Sequence, residues 1–241
     1  MLVDNKFIYL SLPRCASTAF FMSTIRSGIK ISHANSVLDK QYDTFDLTKM
    51  SNMDLVHQIN HFHETLNSLR DTFGYNYEVI SVKRNRHERF VSYLNHCIGQ
   101  LYRNGRLELY DKFLNLSLDD VLFYETKDLI NKEGKTKVVK EFLNRMGILK
   151  YDTTLESLLL PIVSPLSTYH NNDPNIIWFD FNKLYELENW VSKKLDKPFT
   201  LENFGTSNEF KSKIIVDDNF INKYNNIYDY YDIVKKQNTL I

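Results

Sequence analysis

A chain of 241 residues with 30 basic and 30 acidic side chains carries no net formal charge, which excludes a protein-wide field for nucleic acid or anionic membranes and leaves only local anion sites. With 43% hydrophobic residues, a domain of this length buries roughly 70–75% of its unfolded surface and needs no disulfide staples, so Cys15 and Cys97 read as reduced thiols of a reducing compartment. No leader, no apolar run near the ~18 residues of a membrane span and no Pro/Gly/Ser-rich linker is apparent, so the expectation is one soluble, cytoplasmic domain over residues 1–241.

The first predicted elements lie in Phe7 to Arg26, FIYLSLPRCASTAFFMSTIR. Ile8, Leu10 and Leu12 alternate as a buried strand, Pro13 breaks the pattern, and Phe20, Phe21, Met22 and Ile25 recur at helical spacing, predicting a helix entered through Ser17 or Thr18. The loop Pro13-Arg14-Cys15-Ala16-Ser17-Thr18 therefore joins a strand to a helix start. Unpaired N–H groups of that start, two hydroxyls and the Arg14 guanidinium suit a tetrahedral anion such as phosphate or sulfate. The plainer alternative is an ordinary Ser or Thr cap. The loop holds no glycine and no Lys before Ser17, so the Walker pattern GxxxxGK[ST] is absent.

Ser32 to Ser51 is polar and aperiodic, as in a surface loop near a cleft. Asp54 to Asn60 predicts a second strand, followed by His61-Phe62-His63-Glu64 and a helix marked by Leu66, Leu69 and Phe73 and closed by Gly74. Glu78 to Lys83, EVISVK, predicts a third, buried strand. It runs into Arg84-Asn85-Arg86-His87-Glu88-Arg89-Phe90-Val91-Ser92, where Lys83 to Arg89 holds four basic residues and one acidic. Helix starts favour acidic residues, so this cluster points to a bound anion, against the alternative of a solvated basic helix start.

Leu101 to Asp111 reads as mixed and polar. Leu116 to Ile130 and Thr136 to Met146 read as amphipathic scaffold helices, Ile176 to Phe181 as a fourth strand and Leu184 to Leu195 as a helix, ahead of a polar tail and a Tyr-rich helix. Two anion sites, each between a strand end and a helix start, predict an α/β fold of three layers. Its central sheet is expected to be mainly parallel and flanked by helices, with the ligand across the carboxyl ends of its strands.

PRCAST is similar to the PKSGTT, PRSGTT and PKVAST loops of sulfotransferases that use 3′-phosphoadenosine 5′-phosphosulfate (PAPS). Arg84 to Ser92 resembles their second motif, R-[DN]-P-x-x-R-x-x-S, with Arg89 as the intervening Arg and Arg86 where the Pro usually stands. The resemblance implies a P-loop-like form of the fold, with Arg14, Cys15, Ala16, Ser17 and Thr18 around the 5′-phosphosulfate and Arg84 and Ser92 on the 3′-phosphate. Arg14 would stabilise charge on the leaving phosphate, and no metal is implied. Arg89 is read either as part of that motif or as a structural ion-pair residue. Asn60-His61 resembles the KTH-like segment that carries a catalytic histidine in cytosolic sulfotransferases. This makes His61 the expected base, with His63 and then Glu64 as rivals and His57 as a structural histidine. The Golgi-type carbohydrate branch is the nearer in character, although its membrane anchor is not read here. It suggests a glycan hydroxyl as acceptor and gives weak roles to Ser207, Lys211 and Lys213.

Two further function classes stay open at this point. A nucleotide-dependent phosphotransferase would want a Walker Lys and an acidic metal ligand ending a strand, whereas the strands here end in Lys83-Arg84 and Asn60-His61. A non-catalytic nucleotide- or anion-binding module differs only in forming no sulfated product.

Overall fold

Four consecutive apolar residues, Phe7–Leu10, form the central strand β2, and all four are buried, as a strand covered on both faces requires. The computed structural model describes residues 1–34, 63–103, 105–115 and 167–202 and positions 211, 213, 215, 217–219 and 222. The chain divides into two compact units, one of Met1–Arg84 with Leu166–Thr206 and one of Asn85–Pro165 with Ser207–Ile241.

The first unit holds a mixed sheet of five strands: β1 (Leu2–Val3), β2, β3 (Ile31–Ser32), β4 (Glu78–Lys83) and β5 (Ile176–Asp180), in the order β3-β1-β2-β4-β5. β2, β4 and β5 run parallel, with Leu10 opposite Ser81 and Lys83 opposite Asp180. β1 is antiparallel to both β2 and β3. The fold is thus α/β with a sheet that is only partly parallel, a correction to the mainly parallel expectation. The cause is the reversal at Asp4-Asn5, where φ is 47° and 52° and the Lys6 N–H donates to the Val3 carbonyl over 2.9 Å. Asp and Asn tolerate this left-handed backbone best after glycine, so the turn folds β1 back onto β2.

Side-chain alternation puts Phe7 and Tyr9 on one face of β2. Helix α1 (Ser17–Arg26) stacks Phe20 flat on Tyr9, with ring centroids 3.8 Å apart and planes 2° apart. Phe7 meets the edge of Trp190 from helix α6 (Leu184–Leu195), at 5.0 Å. These rings belong to a core that also takes Leu66 and Leu69 from helix α2 (Leu66–Phe73). α2 is capped at one end by the Thr65 side chain, which accepts from the Ser68 N–H, and stopped at the other by Gly74, whose φ of 93° few other residues adopt.

In the second unit, helices α3 (Arg86–Arg103) and α4 (Leu107–Leu114) pack on each other, with Tyr102 and Tyr110 in ring contact. The sequence reading missed α4 because it took Leu101 to Asp111 as irregular. Gly105, at φ 68°, closes α3 by donating to the Tyr102 carbonyl, while the Arg106 N–H donates to the Leu101 carbonyl, and the next helix follows at once. β5 also ends one residue earlier than expected. The Asp180 carboxylate accepts from the Asn182 N–H over 2.8 Å and turns Phe181–Lys183 into a short 3-10 segment. A four-residue helix α5 (Ser167–His170) precedes β5. The expected elements at 54–60, 116–130 and 136–146, and most of the expected tail, lie outside the described residues.

Candidate functional site

The parallel strands β2, β4 and β5 end at a common edge of the first unit's sheet, and the loop that leaves β2 there carries the first predicted anion site. Its backbone is unusual for its residues. Arg14 has φ 62° and Ala16 has φ 60°, a left-handed conformation that costs a residue with a Cβ roughly 1–2 kcal/mol. The Cys15 N–H donates to the Leu12 carbonyl over 3.2 Å and the Ser17 hydroxyl donates to the same carbonyl over 2.5 Å, so Leu12 ties the loop from both sides.

Ala16, and neither Ser17 nor Thr18, is the N-cap residue of α1, no side chain caps the helix, and its first turn contains no acidic residue. The ordinary cap reading of Ser17 is therefore corrected: its hydroxyl faces back into the loop. Cys15 is buried, and its N–H is already committed to Leu12. The first turn of the helix itself sets no carboxylate against the positive end of its dipole.

Arg84 is the first residue after β4. Its Nη1 donates to the Arg14 carbonyl over 3.4 Å, and its guanidinium carbon lies 4.2 Å from the centroid of the Phe181 ring. The two predicted anion-binding elements of this unit thus meet at the loop backbone. Phe181, which the sequence reading did not single out, supports the guanidinium. The sequence alone carried no signal for it: Lys83 and Asp180 are register partners in the sheet, so the residues after them leave adjacent parallel strands side by side.

His63 stands beside the carboxyl end of β2. Its Nδ1 is 3.1 Å from the Ser11 carbonyl oxygen and 3.4 Å from the Ser11 hydroxyl, and its ring meets Tyr169 edge-on at 6.2 Å. A carbonyl only accepts, so Nδ1 carries a proton, and in the neutral ring the lone pair is then on Nε2. Glu64, the third candidate base, is half-buried with its side chain mostly covered: its Oε2 lies 3.5 Å from His33 Nδ1 and 3.6 Å from the Met1 amino group, which gives it a structural partnership. His57, His61 and Ser207 lie outside the described residues.

In the second unit, Ser92 is half-buried on α3. The Asn85 side chain accepts from the N–H groups of His87 at 3.0 Å and Glu88 at 3.3 Å, so the start of α3 is capped by its own chain. The expected anion there rests on the clustered basic residues of Lys83 to Arg89, while two of the helix-start N–H groups, those of His87 and Glu88, are taken by Asn85. Arg89 is buried and, among the described residues, meets no carboxylate. Lys211 and Lys213 are exposed, and Lys213 bonds Asn115. Among the described residues no group of His, Cys, Asp or Glu is arranged to hold a metal ion, and no helix is long and apolar enough to cross a membrane.

No protein-family model matches the chain, and neither the curated proteins nor the solved structures provide a match.

Proposed function

We propose that this chain is a sulfotransferase that moves a sulfuryl group from PAPS to an acceptor hydroxyl, with a glycan as the favoured acceptor class, on a P-loop-like, three-layer form of the α/β fold. The observation that carries the reading is the hydrogen bond from Arg84 to the Arg14 carbonyl, which brings the ends of β2 and β4 together at one sheet edge. The donor set there fits an anionic nucleotide. It combines an uncapped helix start without acidic residues in its first turn, the left-handed Arg14 and a guanidinium over an aromatic ring.

In this reading Arg14 and the N–H groups opening α1 hold the 5′-phosphosulfate, and Arg84 holds the 3′-phosphate. When bound, PAPS supplies the sulfuryl group: its bond to the phosphate oxygen breaks as a bond to the acceptor oxygen forms. Arg14 neutralises charge that develops on the phosphate oxygen, and a fixed, fully charged guanidinium is suited to that because it needs no reorganisation. A histidine takes the acceptor proton. Sequence resemblance favours His61, whereas a specific observation favours His63: the Ser11 carbonyl holds its Nδ1–H and leaves Nε2 as the basic nitrogen at the end of β2.

Calorimetry with adenosine 3′,5′-bisphosphate and adenosine 5′-phosphate tests the assignment of Arg84. Losing a charged hydrogen-bond partner costs about 1.5–3 kcal/mol, so Arg84→Ala should weaken the bisphosphate by roughly 10- to 150-fold and the monophosphate little. Equal losses for the two nucleotides would remove the assignment.

A further inference from the structure

Phe181 and Arg84 are each the first residue beyond a strand, and the strands that end at Asp180 and Lys83 are parallel neighbours in register. This places an aromatic ring beside the guanidinium through the sheet itself. The ring is half-buried, packed against the core, and the turn that presents it is fixed by the Asp180 carboxylate on the Asn182 N–H. The Arg84 guanidinium carbon sits 4.2 Å from the ring centroid, and Nη1 of the same group reaches the Arg14 carbonyl. A ring on one side and a carbonyl at one corner restrict both the plane of the guanidinium and its rotation within that plane. An unsupported arginine on a strand end retains several rotamers and must lose them each time it grips a ligand.

We infer that Phe181 is a positioning residue: its ring holds the Arg84 guanidinium in the orientation from which it bonds the Arg14 carbonyl and meets a phosphate. The inference rests on the PAPS reading above and adds to it the source of the site's preference for a nucleotide with a second phosphate. Phe181 touches no reacting atom, and its influence passes entirely through Arg84. A lysine at position 84 could neither stack a planar group on the ring nor bond at two corners at once, so the pair Phe181–Arg84 acts as a unit.

The test uses calorimetry on the full chain, with the bisphosphate and the monophosphate as probes, and thermal melts in parallel. Phe181→Leu and Phe181→Met both keep apolar bulk and remove the ring face, so one stands in if the other fails to fold; Phe181→Tyr keeps the ring. Losing a cation–π contact should weaken adenosine 3′,5′-bisphosphate by roughly 3- to 30-fold in the Leu and Met variants and leave adenosine 5′-phosphate unchanged, and Tyr should restore the affinity. Combined with Arg84→Ala, the Leu substitution should add no further loss, because the group it positions is gone. Equal losses for both nucleotides, or fully additive losses in the double variant, overturn the role of Phe181 while leaving the parent reading intact. If Arg84→Ala itself does not separate the two nucleotides, the parent reading fails, and this inference fails with it.

Discussion

Arg84 donates its Nη1–H to the main-chain carbonyl of Arg14 across 3.4 Å, joining two residues that lie 70 positions apart in the chain. The bond holds the backbone of a left-handed residue at the end of one strand with the side chain that leaves the end of the next.

Arg14 is assigned to charge that grows during transfer, so its removal should act on turnover as well as on affinity. Arg14→Ala should lower kcat, and Arg14→Lys should retain part of it, because the charge survives while the two-cornered fork is lost. Steady-state and single-turnover kinetics check this. An unchanged kcat in Arg14→Ala would reduce the loop to a binding element.

The histidine that acts as base can be identified by rate and pH together. Removing a general base costs about 10²- to 10⁴-fold in rate, so one of His61→Ala and His63→Ala should lose kcat on that scale with little change in PAPS affinity. The Ser11–His63 geometry predicts a second signature: if His63 is the base, His63→Gln also fails, and the acid limb of the pH–rate profile disappears with it. Normal turnover in both Ala variants would move the base elsewhere.

How far the sequence could be read depended on whether each feature was decided locally. β4 and α6 were legible to the residue, because Glu78–Lys83 is β-branched between polar ends and Leu184–Leu195 has a clean helical stripe. The start of α1 at Ser17 was legible too, but its cap was not. The left-handed turns at Arg14 and Ala16 send the Ser17 hydroxyl to Leu12, and no residue preference assigns that conformation to Arg or Ala. β1 contains only Leu2–Val3, too short for alternation to show, so the antiparallel edge was missed. Arg84 was singled out by the local charge of Lys83 to Arg89 and by the resemblance of Arg84 to Ser92 to a sulfotransferase motif. Phe181 was not, because only the register of β4 and β5 reveals its partner.

Loop strain can be measured as stability. Ala16 at φ 60° bears roughly 1–2 kcal/mol of left-handed cost, which glycine would relieve while losing about 0.5–1 kcal/mol of chain entropy. Ala16→Gly should therefore stabilise the protein by up to ~1.5 kcal/mol in denaturant unfolding, and Ala16→Val should destabilise it. A destabilising glycine would contradict the strained backbone.

Arg70 and Asp173 form a mostly buried ion pair between α2 and the turn before β5, and the Asn175 N–H donates to the same carboxylate over 2.8 Å. Burial opposes the charge, but the Asn175 N–H and Arg70 outweigh it and hold the Asp173 carboxyl below its ordinary value of 3.8. A carboxyl depressed in the folded state adds stability above its unfolded pKa, and that stability is lost as pH falls through the folded one. Asp173→Asn should therefore cost about 1.5–3 kcal/mol near pH 7, and the gap to the unmodified protein should close below pH ~4. Melting curves across that range check it, and a gap independent of pH would contradict the assignment.

The central claim is transfer itself, and it is tested by incubating the protein with sulfur-labelled PAPS and a panel of glycan, phenol, tyrosyl-peptide and small-alcohol acceptors, followed by mass spectrometry. The account predicts a labelled sulfate ester on at least one acceptor, with glycans favoured, and loss of that product in Arg14→Ala. Tight PAPS binding with no sulfated product from any acceptor class would contradict it and identify the chain as a nucleotide-binding module.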